Sequence, residues 1–371
     1  MCDTLYNEAY VTIDLPYRKI PELLEHPEQN MTCYYCDEQN TILNAPNFIK
    51  VIDVHCSDFD DYVPKWPTDL EYLCLPTCYN HPLNLTATNL IYLNLGKQEE
   101  YASSYDIGQF NNKLKNCLPK SLKYLEIYSS EYTESIDDLL EGLDNLETLV
   151  IRCKSTSLST TFLKSSKSIN LKNMTIRTTN SVDLNLLPDS LETLSISCPD
   201  SYYTKKVTNW PKNLKILSIG YGFRSELMNL PEFLEELKIE THFDVKITLS
   251  PNIKKINILH SEIHHDCILT LPKSVTHALF YMHYYNKKID FPSSMKYLYY
   301  FDESYTFLEE LKRENPNVII ESCEPRNIEL TNDQIKYGKK LAGVVKHIWD
   351  NSSTSFYIGS VQFGSLFLLS F

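Results

Sequence analysis

Residues 187–196 read Leu-Pro-Asp-Ser-Leu-Glu-Thr-Leu-Ser-Ile, and the same template recurs along most of the 371-residue chain. Residues 118–127, 210–219 and 230–239 are its clearest other copies. Each copy has a proline, or a residue in its place, followed by apolar residues three, six and eight positions later. These first positions, here called anchors, are residues 46, 67, 87, 119, 143, 168, 188, 211, 231, 250, 272 and 292. Because one such unit cannot bury its apolar face alone, the period predicts repeats that stack on one another.

The template predicts one short β-strand in each repeat. Proline fixes its own φ and biases the preceding residue toward an extended conformation. The apolar residues six and eight positions after the anchor share one face of a strand, because side chains alternate between faces. The residues at positions five, seven and nine then form the opposite, exposed face. Stacking these strands in parallel predicts an α/β repeat solenoid with the sheet on its concave face and irregular or short-helical segments on its convex side.

The fourth position after the anchor carries a charge in most repeats, and the sign alternates from Lys123 to Lys254. The charged residues there are Lys50, Glu71, Lys123, Glu147, Lys172, Glu192, Lys215, Glu235, Lys254 and Lys296. Neighbouring strands lie about 4.8 Å apart, so unlike charges should meet across each pair of repeats. An exposed pair contributes only about 0–1 kcal/mol. We therefore expect the row mainly to fix the order and register of the repeats; chance alternation of common surface charges is the alternative.

The tenth position after the anchor is restricted to small hydrogen-bonding or thiol side chains. The residues are Cys56, Thr77, Ser129, Cys153, Thr178, Cys198 and Thr241. Such side chains can satisfy backbone groups in the turn that follows a strand. This interpretation accounts for three cysteines without a redox or metal role.

The Leu-Pro-x-Ser-Leu form of the repeat, at 118–122, 187–191 and, with valine last, at 271–275, resembles leucine-rich repeats. It resembles the FNIP-type repeats of social amoebae and their large DNA viruses, and it is also similar to the short leucine-rich repeats of bacterial effector proteins. The resemblance covers residues 41–320 and implies a solenoid that binds proteins through its concave face or its edges. The chain departs from the common leucine-rich pattern because it has no asparagine ladder after the strand.

Three regions follow from this pattern: an N-terminal cap at 1–40, a solenoid of about twelve repeats at 41–320, and a C-terminal cap helix with an apolar tail at 321–371. A short helix is predicted at 304–314, a final strand at 317–320 and an amphipathic helix at 331–350. The uncharged tail after Asp350 is barely long enough to span a bilayer. A capping β-segment or a disordered tail is the preferred interpretation, and a membrane anchor is the alternative.

Composition excludes several classes of function. The formal net charge of −13 argues against binding to nucleic acid, which needs clustered Lys and Arg, and against docking on an anionic membrane. The N-terminus lacks the apolar segment of a secretory signal, and the 11 cysteines are an odd number scattered along the chain. These features predict a reduced, cytoplasmic protein, which we expect to be a monomer.

Catalytic and metal motifs are weak. Cys33 and Cys36 could pair with Cys74 and Cys78 in a zinc site, but the three-residue gap of the second pair favours structural thiols. The cluster of His260, His264, His265 and Asp266, with His283 one repeat later, lacks helical metal-ligand spacing and is interpreted as a solvated loop. No nucleophile elbow, P-loop or dinucleotide fingerprint occurs. We therefore expect no enzymatic activity, no cofactor and no metal.

The exposed strand face is the candidate binding surface, since two tyrosine-rich zones flank a middle of mixed charge. Tyr and Arg dominate interface hot spots, although the strand propensity of Tyr is an alternative explanation. His277, Glu236 and Glu240 share this face. The residues assigned to partner binding are Tyr72, Tyr92, Tyr124, Glu126, Tyr128, Arg152, Arg177, Lys238, Tyr281, Tyr297, Tyr299 and Phe301.

The sequence thus predicts a non-enzymatic protein-binding module. A substrate adaptor of a ubiquitin ligase is one alternative, although residues 1–40 are too short for the F-box that some FNIP-repeat proteins carry. A membrane-tethered scaffold is the other alternative, and it depends on the apolar tail.

Overall fold

The computed structural model describes residues 30–33, 43, 45–54, 59–97, 108–129, 132, 134, 139–140, 142–153, 170–177, 183–198, 203–220, 222–239, 248–258, 271–281, 291–301, 312–313, 315–322, 357–358 and 361–362. Within these ranges the side chains of 30–33, 97, 177, 258, 279–281, 299–301, 321–322, 357–358 and 361–362 lie outside the description. Every structural statement below refers to the described residues.

The repeats form one parallel sheet of 14 strands, and every strand pairs with its neighbours in sequence order. The strands are β1 Asn30–Cys33, β2 Val51–Val54, β3 Tyr72–Pro76, β4 Tyr92–Lys97, β5 Tyr124–Ser129, β6 Thr148–Cys153, β7 Asn173–Arg177, β8 Thr193–Ser197, β9 Ile216–Ile219, β10 Glu236–Ile239, β11 Lys255–Ile258, β12 His277–Tyr281, β13 Tyr297–Phe301 and β14 Ile319–Ser322. This sequential parallel order confirms the predicted solenoid of stacked repeats.

Register is set by a backbone contact that repeats at the start of each strand from β3 to β13. The carbonyl oxygen of Lys50 accepts from the amides of both Glu71 and Tyr72, at 2.8 and 2.9 Å. The carbonyl of Lys254 does the same for Thr276 and His277, at 2.9 and 3.2 Å. Residues at the same template position therefore face each other across neighbouring strands, as Leu194 faces Leu217.

The proline anchor makes a tight turn and the apolar template fills the core. The anchor carbonyl accepts from the amide three residues later, as from Pro188 to Leu191 at 3.3 Å and from Pro231 to Leu234 at 3.1 Å. This bond turns the third position inward, where it joins the sixth and eighth positions. The sixth-position residues Ile52, Leu73, Leu93, Leu125, Leu149, Met174, Leu194, Leu217, Leu237, Ile256, Ala278 and Leu298 are at most 1% exposed. Burial of this continuous apolar column is the main stabilising contribution of the fold.

A row of side chains in the turn, two positions after the anchor, links each repeat to the preceding one. The hydroxyls of Ser190 and Ser274 each donate at 2.7 Å to the carbonyls of Leu171 and Ile253, respectively. Where the position holds asparagine, its amide donates instead to the carbonyl one residue after the previous anchor, as Asn213 does to Asp189 at 2.9 Å. The serine of the Leu-Pro-x-Ser-Leu motif therefore has a structural role, which the sequence analysis did not assign.

The charge row at position four forms ion pairs between neighbouring repeats, as predicted. Lys50 contacts Glu71 at 3.3 Å, and the three later pairs lie at 2.6–3.1 Å: Lys172 with Glu147, Lys215 with Glu192, and Lys254 with Glu235. Glu192 also raises the pKa of Lys215 through its hydrogen bond and its charge. Because these pairs are largely exposed, their contribution to register exceeds their contribution to stability.

The tenth position contacts backbone groups at Ser129 and Cys153. The Ser129 hydroxyl donates to the Gly108 carbonyl at 2.9 Å, and the Cys153 thiol lies 4.0 Å from the Ile127 carbonyl oxygen. Cys56, Thr178 and Thr241 lie outside the described residues.

The predicted α/β mix is wrong for the described residues, and their connections are irregular instead of short-helical. They contain one 3-10 helix, Leu184–Leu186, and helical positions at 43, 312 and 313. The connections bond sideways to the next repeat instead of along a helix axis, as Leu85 donates to the Cys117 carbonyl at 2.8 Å. Ring pairs between neighbouring connections reinforce them: Phe59 with Tyr79, Phe110 with Tyr132, and Tyr203 with Phe223.

The first strand of the sheet lies in the stretch assigned to the N-terminal cap, and the last strand lies at the predicted start of the C-terminal cap. Strand β1 begins at Asn30, inside the stretch assigned to the N-terminal cap, and β14 ends the sheet at Ser322. The body that contains the sheet comprises Gln29–Glu100 and Ile107–Glu324. A second compact unit comprises Met1–Glu28, Tyr101–Asp106 and Pro325–Phe371.

In the second unit the structure describes an antiparallel hairpin of β15, Tyr357–Ile358, and β16, Val361–Gln362. The predicted helix at 331–350 lies outside the described residues, as does 304–314 except for two helical positions. Among the residues described, no helix has the length and apolar character needed to cross a bilayer.

Replacing Leu217 by Ala should lower the free energy of unfolding by about 2–5 kcal/mol, because its fully buried side chain would leave a cavity between two repeats. Phe233→Ala is the matched control, since Phe233 is 65% exposed and its loss should change stability by less than about 0.5 kcal/mol. Urea unfolding followed by circular dichroism measures both. Equal losses would contradict the assignment of Leu217 to the core.

Candidate functional site

The outer face of the sheet, formed by positions five, seven and nine, carries the predicted binding residues. Its first part is a column of three tyrosines at position five, in β3, β4 and β5. Tyr72 stacks on Tyr92 with ring centroids 4.4 Å apart, and Tyr92 stacks on Tyr124 at 4.3 Å. The in-register strand spacing brings these rings to stacking distance.

A polar network lies beside the tyrosine column, and the Glu126 carboxylate is its centre. The Tyr124 hydroxyl donates to Glu126 Oε2 at 2.7 Å, and Asn94 Nδ2 donates to the same oxygen at 3.1 Å. An Arg152 guanidinium nitrogen lies 3.4 Å from Oε1. A carboxylate that is taken out of water needs such partners. The three side chains thus allow Glu126 to lie 7% exposed.

The expectation that Tyr72, Tyr92, Tyr124 and Glu126 are exposed is wrong. The three tyrosines are 3–6% exposed, so they are buried within the chain and are not accessible anchors for a partner. Burial, followed by the proximity of Cys74, raises the pKa of Tyr72 and Tyr92 far above the ordinary tyrosine value. The physical reason is that in-register aromatic rings cover one another while polar groups at position seven bond to the phenols.

Lys238 is also buried, at 0% exposed, against the prediction. Its ammonium nitrogen lies 3.5 Å from Oε1 of Glu236, which is itself buried. Ser218 and Asn257, the register partners of Lys238 on β9 and β11, are buried as well. This part of the outer face therefore buries the Lys238–Glu236 charge pair and does not expose it to a partner.

Arg152 and Tyr128, two of the predicted residues, combine partial exposure with a fixed position. They are register partners at position nine of β5 and β6. The Tyr128 backbone is held close to two glycines: a Cβ on Gly96, whose φ is +95°, would lie 2.2 Å from the Tyr128 carbonyl oxygen, and one on Gly108 would lie 1.8 Å from it. No other residue fits at these two positions without moving the strand. The ion pair with Glu126 fixes Arg152 in turn.

The remaining predicted residues are placed as strand positions. Arg177 pairs in register with Arg152, and Tyr281 pairs with Phe301. Tyr299 lies on the same strand as Phe301, and Tyr297 is partly exposed. The side chains of Arg177, Tyr281, Tyr299 and Phe301, and the whole of Glu240, lie outside the description.

Between the buried blocks, β7 and β8 form a partly exposed window of small polar side chains. The Asn173 amide donates to the Thr148 hydroxyl at 3.1 Å, which continues the row from β6. The partly exposed residues of the window are Asn173, Thr175, Thr193, Ser195 and Ser197. They offer hydrogen-bonding groups on the strands that follow Arg152.

The thiols described here make structural contacts. The Cys74 thiol donates to the Tyr72 hydroxyl at 3.1 Å, whereas the Cys78 thiol donates to the Phe59 carbonyl at 3.2 Å. Within the described part of the chain, no group of His, Cys, Asp and Glu side chains is suited to hold a metal ion. Cys36 and the histidine cluster at 260–265 lie outside that part.

Sequence reasoning missed the function of position seven. Asn94 and Glu126 occupy this position in consecutive repeats, and a carboxylate next to an amide in one row was an available signal of a lateral hydrogen bond.

No family model matches the chain, and no curated protein was found to be related to it.

Tyr124→Phe should lower the free energy of unfolding by about 1.5–3 kcal/mol, because it removes a hydrogen bond to a buried carboxylate. Tyr62→Phe makes the same chemical change on a side chain that is 55% exposed, and it should have almost no effect. Chemical denaturation of both variants provides the comparison. If Tyr124→Phe left the free energy of unfolding unchanged, the phenol would not be what stabilises the buried Glu126 carboxylate.

Alkylation should separate buried thiols from a partly exposed one. Burial raises the pKa of Cys153 to about 12 and that of Cys198 to about 11, so both remain thiols at neutral pH. Since the thiolate is the nucleophile, iodoacetamide at about pH 8 should modify both slowly in the folded protein and rapidly in urea. Peptide mass spectrometry would report each site, with the partly exposed Cys117 expected to react first. Rapid labelling of Cys153 in the folded protein would contradict its burial.

Proposed function

We propose that the chain is a non-enzymatic protein-binding module of leucine-rich-repeat type, and that Arg152 and Tyr128 are its main recognition residues. The observation that carries this proposal is the ion pair between the partly exposed Arg152 and the buried Glu126, which itself accepts two hydrogen bonds. A guanidinium held in this way loses little conformational entropy when a partner binds. Arg and Tyr are also the side chains most enriched in interface hot spots.

The surroundings of this pair support a macromolecular ligand. The window on β7 and β8 is rich in partly exposed hydroxyl groups. It continues the outer face directly from Arg152 through the register pair with Arg177. A surface of this kind offers several separate hydrogen bonds over adjacent strands, as a protein partner would use. The partner identity follows from the binding experiment below.

Arg152→Gln should weaken partner binding by about 30-fold, the effect of losing a typical hot spot. Tyr128→Ala is a second variant that leaves the Glu126–Arg152 pair intact. The combination of Tyr62→Ala with Arg224→Ala is the matched control, because both residues are exposed and neither is on the outer face of the sheet. Immobilised full-length protein is used to capture partners from a lysate of its own source cells, with quantitative mass spectrometry as the readout.

A supporting result is a captured protein whose recovery falls with both outer-face variants and not with the control, while circular dichroism shows that every variant is folded. Recovery that is unchanged by the outer-face variants would overturn the assignment. Equal loss in the control would show that capture is non-specific.

A further inference from the structure

A second feature of the outer face lies at the other end of the sheet and is independent of Arg152. Lys255, His277 and Tyr297 occupy position five in β11, β12 and β13 and are register partners. We call these three residues, with the neighbouring Lys296, the His277 row. Lys255 and Lys296 are exposed, while His277 and Tyr297 are partly exposed. The row therefore presents cationic and aromatic groups to solvent.

The imidazole of His277 is held in place by two contacts. Its ring stacks on Tyr297 with centroids 4.9 Å apart and an interplanar angle of 20°. Its Nδ1 lies 2.8 Å from the Thr276 hydroxyl oxygen. Because the threonine occupies Nδ1, Nε2 is the nitrogen that can meet a ligand. The ring is thus pre-positioned before any ligand arrives.

Among the described residues, the charges that act on this ring are positive. Glu236 is shared, since its Oε1 lies 3.5 Å from Lys238 and its Oε2 lies 3.9 Å from Lys255. Lys254 is paired with Glu235 at 3.0 Å. Burial, followed by the charges of Lys255 and Lys296, lowers the pKa of His277, so the two lysine charges reach the ring. A chain with a formal net charge of −13 therefore keeps a local cationic site here.

We propose that the His277 row binds a short carboxylate-rich segment of a protein partner, and that the segment binds more tightly when His277 is protonated. The row spans two strand spacings, about 10 Å, which suits two carboxylates of an extended peptide. A long polyanion would meet the negative charge of the rest of the chain. Nucleic acid and anionic membranes are thus disfavoured, and a short acidic segment is the ligand that fits.

The direction of the pH effect follows from linkage. At neutral pH the lowered pKa keeps His277 mainly neutral. A bound carboxylate favours the imidazolium and raises its pKa. Affinity should therefore increase as the pH falls from the raised pKa of the complex to the lowered pKa of the unbound protein, and level off below it. The charged and titratable groups that face the ring are Lys254 and Lys255 on β11 and Lys296 and Tyr297 on β13.

The test uses a fluorescein-labelled hexaglutamate peptide as the probe, the full chain as the receptor, and fluorescence anisotropy as the readout. We expect binding about fivefold tighter at about pH 6 than at about pH 8. His277→Gln should remove this pH dependence, and Lys255→Gln should weaken binding at both pH values. Lys120→Gln is the matched control, since Lys120 is an exposed lysine in the turn before β5. Arg152→Gln should leave hexaglutamate binding unchanged, so this test and that of the proposed function can fail separately.

A second readout is the NMR titration of the His277 ring, whose midpoint should rise when hexaglutamate is added. Inorganic phosphate at matched ionic strength distinguishes a general oxyanion site from one that needs a peptide, and equal affinity for phosphate would overturn the peptide assignment. The proposal is also wrong if wild-type protein does not bind hexaglutamate, if His277→Gln keeps the full pH dependence, or if Lys120→Gln weakens binding as much as Lys255→Gln.

Discussion

The rest of the structure depends on the in-register stacking of the repeats. The same backbone contact fixes this register from one repeat to the next. The carbonyl before each strand from β2 to β12 accepts two amides of the next repeat, as Lys50 does from Glu71 and Tyr72. This contact allows no slip, because a shift of one residue would send the leucines of the core to the outer face. The ion pairs at position four and the serine and asparagine bonds in the turns act in the same direction. Stability comes from apolar burial, and these polar rows select the one register in which that burial is complete.

The same register determines the chemistry of the outer face. Equal template positions face each other at strand spacing, so similar side chains in consecutive repeats associate with each other. Three tyrosines become a stacked column, and the Glu126 carboxylate collects donors from its own strand and from both neighbouring strands. Residues that the sequence indicates as a binding surface are therefore buried by contacts with neighbouring strands. Side chains are partly exposed where the residue type changes from one repeat to the next at the same template position. These places are Arg152, the hydroxyl window of β7 and β8, and His277.

The apolar period was sufficient to predict the strands, their parallel order and the core, since the alternation of Leu194 and Ile196 leaves one possible buried face. Alternation identifies the second face but does not show whether that face is covered, and for that reason Tyr124 and Lys238 were expected to be exposed. The connections could not be predicted from composition because their hydrogen bonds go to the neighbouring repeat, as from Leu85 to Cys117. Of the candidate site, the position of Arg152 and Tyr128 on the outer face was predictable. The carboxylate that holds Arg152 became apparent only when the register was known.

A repeat protein gains specificity where a residue departs from its own template, because the template residues are already used for stacking. The two recognition sites proposed here differ in this respect from the rows that surround them. Arg152 follows Tyr128 in its row, and the change from ring to guanidinium introduces a charge that pairs with Glu126. His277 lies between Lys255 and Tyr297, where the row changes from cation to ring. At such a position, a charged or aromatic side chain has a neighbour of a different type in the next repeat. We propose that a partner supplies the contact that a neighbour of the same type would make. On this proposal, recognition needs only a few pre-positioned side chains, at the positions where the residue type changes along a row.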